Sequence, residues 1–81
     1  MPKPVNMSFS TAVSAALDDY FDSLNGEAPA QLHKLVIDEV EKTLVQNIMQ
    51  RTDGNQSEAA KILGVNRNTL RSRLEKFDLL P

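Results

Sequence analysis

Cysteine is absent and histidine occurs once, at His33. No disulfide can staple the fold, and no thiolate can hold a metal. A lone imidazole without clustered partners does not make a zinc site. The three glycines stand apart at positions 26, 54 and 64, so no glycine-rich loop can cradle phosphates. No apolar run approaches the roughly 20 residues that cross a bilayer. The opening MPKPVNMSFS has one lysine and no apolar stretch of a signal peptide. Strand-like alternation, internal repeats and low-complexity tracts are missing as well. Neither a Ser-His-Asp order nor a metal-ligand spacing occurs. Glu39, Glu41 and the carboxylates of 18–22 read as solvated charges, and His33 as a surface or interface residue. The expectation is a cytoplasmic protein that is not an enzyme, needs no cofactor and touches no membrane. With only 81 residues and no cross-link, a second copy of the chain is the obvious source of additional buried surface.

What is present is helical periodicity. Residues 1–7 hold Pro2 and Pro4 and read as a flexible arm. Ser8 or Ser10 can cap a first helix. Val13, Ala16, Leu17, Tyr20, Phe21 and Leu24 follow its apolar stripe, and Asn25-Gly26 ends it. Pro29 fits the first turn of a second helix, which should run to Arg51 or Thr52 and measure roughly 34 Å. One stripe on that helix is Leu32, Leu35, Val36, Val40, Leu44 and Ile48. A second is Ile37, Val45 and Met49. Apolar residues on more than one face mean enclosure from several sides. A dimer supplies that enclosure, with Val13, Leu17, Tyr20, Phe21, Leu24, Leu35, Val36, Val40, Leu44 and Ile48 as its core. A monomer with a long central helix is the alternative. The expected fold class is all-α with four helices. Residues 8–53 form the dimerisation helices, the N-terminal pair intertwining with its partner, and 54–81 form the remaining unit.

That unit has the spacing of a helix-turn-helix. NQSEAAKILGVNRNTLRSRLEKF runs from Asn55 to Phe77. Asn55 caps a helix over Gln56 to Leu63, with Ser57 and Glu58 in its first turn. Ala59 and Ala60 are small where two helices must cross closely. Gly64-Val65 makes the turn. Asn66 caps a last helix from Arg67 to Phe77, with Leu70, Leu74 and Phe77 facing inward. In this motif the second helix enters the major groove with its N-terminal turn foremost. Arg67 is the best base reader, because a guanidinium pairs with both acceptors of guanine. Asn66 or Asn68 suits an adenine edge or a phosphate. Thr69, Arg71, Arg73 and Lys76 suit phosphates, as do Asn55 and Ser57 at the start of the preceding helix. Charge is distributed to match. Residues 1–53 carry four basic side chains against eight acidic ones, whereas 66–76 carry four against one.

The stretch NGEAPAQLHKLVIDEVEKTLVQNIMQRTDGNQSEAAKILGVNRNTLRSRLEKF resembles the Fis family, the bacterial factors for inversion stimulation. The likeness runs from about Phe9 to Leu79 and is sharpest in GNQSEAAKILGVNRNTLRSRL. LDDYFDSLNG extends it beyond the helix-turn-helix. The resemblance implies a homodimer whose first two helices interlock, and two recognition helices on one side, closer together than a straight duplex turn allows. It therefore implies DNA bending, nucleoid organisation and regulation of transcription, with RNA polymerase open as a further partner. Asn55, Ser57, Asn66, Arg67, Thr69, Arg71, Arg73 and Lys76 fall at family DNA-contact positions. Ser72 and Glu75 stand where well-known members place lysines, which should weaken binding and flatten its salt dependence. The invertase-contacting arm of those members is longer than the eight residues ahead of the first helix here, so stimulation of inversion is not expected. Two alternatives use the same residues: the terminal domain of a larger enhancer-binding activator, and a protein-interaction module that no longer binds DNA.

Overall fold

A computed structural model describes residues 8–81. The arm expected at 1–7 lies outside them. The described residues form four helices: α1 (Phe9–Ser23), α2 (Leu32–Arg51), α3 (Gln56–Leu63) and α4 (Arg67–Lys76). No strand occurs among the described residues, so the fold is all-α. It divides into two compact units, one ending at Gln31 and one spanning Leu32–Pro81.

Sequence chemistry sets the limits of α1. Ser8 adopts extended backbone geometry and its Oγ accepts the Thr11 N–H at 3.1 Å, satisfying one of the four free donors at a helix start. Asn25 and Gly26 then take left-handed φ values of 52° and 86°, which no helix can continue through. The T-shaped pair Tyr20–Phe21 has ring centroids 5.9 Å apart. No residue of α1 is buried, and Phe9 and Phe21 remain 89% and 46% exposed.

The second helix starts later than its proline implies. Gln31 has φ of 52°, so the helix cannot extend backward through it, and Pro29 lies outside the first turn. The 20 residues of α2 give a rod of roughly 30 Å. Its far end closes on Asp53 and Gly54, both left-handed, with the Gly54 N–H donating to the Met49 carbonyl at 2.9 Å.

In the Leu32–Pro81 unit the core is Val45 of α2, Ala59 and Ala60 of α3, and Leu70 and Leu74 of α4. Ile48, Met49, Leu63, Leu79 and Leu80 pack around it. Ala59 is fully buried, and its lack of bulk lets the helices cross closely. Leu70 and Leu74 are each 1% exposed, and each contributes about 1.5–3 kcal/mol by leaving water. Thus α2 spends one stripe, Val45, Ile48 and Met49, on its own chain. Leu35, Ile37, Val40 and Leu44 stay 42–50% exposed.

Candidate nucleic-acid interface

The site is the α3–turn–α4 unit, and local chemistry fixes each of its joints. Asn55 Oδ1 accepts the Glu58 N–H at 3.1 Å and starts α3. Gly64 has φ of 75° and ends it. The Val65 N–H reaches the Ala60 carbonyl at 3.1 Å and the Gly64 N–H reaches Lys61 at 3.3 Å. This pair of bonds satisfies carbonyls that the helix end would otherwise strand. Asn66 Oδ1 accepts the Thr69 N–H at 2.8 Å and starts α4. Two polar caps, Asn55 and Asn66, and one left-handed glycine therefore set the position of α4's first turn.

Arg67, Asn68 and Arg71 are exposed on α4, as are Asn66 at its cap and Asn55 and Ser57 at the start of α3. Arg67 has no acidic partner among the described residues. Arg71 Nε lies 3.6 Å from Glu75 Oε1, one turn along the same helix. Thr69 and Arg73 are half-buried instead. They line a cleft of about 210 Å³ between α2 and α4, with Glu41, Leu44, Val45, Leu63, Val65 and Leu70.

The acids of α2 are where the structure departs from the sequence reading. Glu41 is not a solvated charge. Its Oε2 lies 3.0 Å from Arg73 Nε, close enough for charge attraction but without the alignment of a hydrogen bond. Asp38, which the sequence did not single out, receives two lysines. Lys76 Nζ donates to its Oδ1 at 2.9 Å, and Lys34 Nζ to its Oδ2 at 3.0 Å. The ammonium of Lys76, followed by that of Lys34, holds the Asp38 carboxyl below the usual carboxylate range. Lys76 also lies 5.2 Å from the centroid of the Phe77 ring. The one hint in the sequence was matched spacing: Asp38 and Glu41 stand three apart on α2, as do Arg73 and Lys76 on α4.

Among the described residues no three metal-ligating side chains gather, and no helix is long and apolar enough to cross a membrane.

Comparison with known proteins identifies the fold unit. The family model for bacterial regulatory proteins of the Fis family matches residues 36–77, which takes in most of α2 and all of α3 and α4. The DNA-binding protein Fis of Mannheimia haemolytica is 45% identical over 75 residues, covering 93% of this chain and 76% of that protein. Its counterpart in Haemophilus ducreyi matches to the same extent. The DNA-binding protein Fis of Vibrio atlanticus is 46% identical over 68 residues, covering 84% of this chain and 69% of its own. The capped helix-turn-helix and this identity over most of both chains agree: the chain belongs to the Fis family of bacterial regulatory proteins.

Proposed function

We propose that this chain acts as a homodimer that binds and bends double-stranded DNA, organising the nucleoid and regulating transcription. The observation that carries the reading is the first turn of α4, fixed by the Asn66 cap and the left-handed Gly64 and presenting an exposed Arg67 with no acidic partner among the described residues. Membership of a family whose relatives carry the name DNA-binding protein supports it.

The caps divide the labour among the asparagines. Reading adenine takes both the oxygen and the amide nitrogen of the side chain. Asn55 and Asn66 have committed their oxygens to Glu58 and Thr69, which leaves their NH2 groups as donors suited to phosphate. Asn68 has no such commitment, so base contact falls to Arg67 and Asn68. Ser57, Thr69, Arg71, Arg73 and Lys76 complete the phosphate-holding set.

Dimerisation is supported by the apolar surface that one chain leaves uncovered. Val13 and Phe21 of α1 and Leu35, Val40 and Leu44 of α2 are all at least 39% exposed. With Leu17, Tyr20, Leu24 and Val36 they are the residues through which two copies interlock, within 8–53. Ile48, also expected in the dimer core, packs on its own chain's core. Residues 54–81 then grip DNA. Bending the duplex between two recognition helices costs on the order of a few kcal/mol, which flanking phosphate contacts offset. RNA polymerase is a second partner consistent with a regulator of this kind.

Two measurements test the reading. Sedimentation of the free protein should give twice the chain mass at micromolar concentration. Gel shifts should show duplex binding in dilute buffer, with altered mobility when the site sits mid-fragment. A stably single chain with no hold on duplex would overturn the proposal.

A further inference from the structure

We infer that Asp38 and Glu41 of α2 set the strength and salt dependence of this chain's grip on DNA, by holding Lys76 and Arg73 of α4 in competition with phosphate. The inference rests on the DNA-binding reading above and adds two acidic residues to it.

Of the four basic side chains on α4, only Arg67 lacks an acidic partner among the described residues. The Arg71–Glu75 contact is a long pair within one exposed helical turn and is easily exchanged. The other two pairs differ in kind. Lys76–Asp38 at 2.9 Å and Arg73–Glu41 at 3.0 Å join separate helices, and their carboxylates are only 29% and 32% exposed. Lys34 occupies the second oxygen of Asp38, so that carboxylate is fixed from both sides.

A free lysine that meets a DNA phosphate releases a condensed counterion, and this release drives binding. A lysine already neutralised by Asp38 gains less. It exchanges one anion for another, and the carboxylate it leaves collects a cation from solution. Affinity and salt slope should both fall short of what four α4 cations would give. The neighbouring acid Glu39 offers an internal contrast. It stands on the same helix with the same charge, is exposed, and has no ion-pair partner among the described residues.

The test is fluorescence anisotropy of a labelled duplex with the full chain across a salt series. Asp38→Asn should tighten binding by roughly two- to fivefold beyond the gain from Glu39→Gln, as expected for releasing one surface pair. Its slope of log affinity against log salt should steepen by up to about 0.9, one phosphate contact's worth. In a Lys76→Gln background, Asp38→Asn should add no more than Glu39→Gln does. Glu41→Gln provides the same test through Arg73 and stands in if Asp38→Asn unfolds. Equal gains from Asp38→Asn and Glu39→Gln would overturn the inference while leaving DNA binding intact. Weakened binding in Asp38→Asn would also overturn it, since Asp38 would then be positioning Lys76 for phosphate. A wild-type chain that ignores duplex at low salt removes the DNA-binding reading itself, a result distinct from both.

Discussion

Lys76 Nζ and Asp38 Oδ1 meet at 2.9 Å, joining the last turn of α4 to α2 across 38 residues of sequence. The contact ties one end of the recognition helix to the rod that carries it, and it has a stability consequence. The Asp38 carboxyl is held below its ordinary value by Lys76 and Lys34, so folding favours its ionised form. Its contribution is therefore fully present above the ordinary carboxylate pKa of about 4 and is lost as pH falls through the lower folded value. Acid unfolding followed by circular dichroism should show a shallower loss of stability below about pH 4 in Asp38→Asn than in wild type. Identical acid limbs would mean the pair is not formed in solution.

Gly64 is held at φ of 75°, and a Cβ there would meet no atom within 4 Å. The cost of Gly64→Ala is therefore backbone strain alone, about 1–2 kcal/mol. For a chain this small the melting temperature should drop by about 4–8 °C per kcal/mol. Fold and DNA selectivity should survive the change.

Ala59 has no exposed surface where α3 meets its neighbours. Ala59→Leu forces bulk into a filled crossing and should cost about 1–3 kcal/mol. Urea unfolding should read this as a lower midpoint at unchanged slope. A larger loss in binding than in stability would indicate that α4 has been displaced.

Arg67→Ala should relax sequence preference, costing about 1–3 kcal/mol at preferred sites and little on random duplex. Arg71→Ala should weaken all sites alike and reduce the salt slope by about one contact. Competition gel shifts distinguish the two, and an equal loss at every sequence for Arg67→Ala would contradict its proposed role as a base reader.

Much of the fold was legible because its punctuation is local. Ser8, Asn55 and Asn66 cap the helices their positions predict, and Gly64 ends α3. Pro29 misled because glutamine carries no strong signal for the left-handed backbone that Gln31 adopts. In the candidate site, the exposure of Arg67 followed from helical spacing. The pairing of Arg73 and Lys76 with Glu41 and Asp38 did not. Which acids face which bases depends on how α2 and α4 cross, and that is decided by packing between side chains distant from one another in sequence, such as Val45 and Leu74.

Between Leu32 and Arg51, α2 contains neither glycine nor proline, and the stripe holding its own head and the stripe left bare lie on the same unbroken backbone. In the proposed dimer two such rods would clasp with no joint along α2 at which the grips could adjust to the duplex. Such an assembly would behave like a calliper with locked jaws, and any mismatch between jaw spacing and helical repeat would have to be taken up by the nucleic acid.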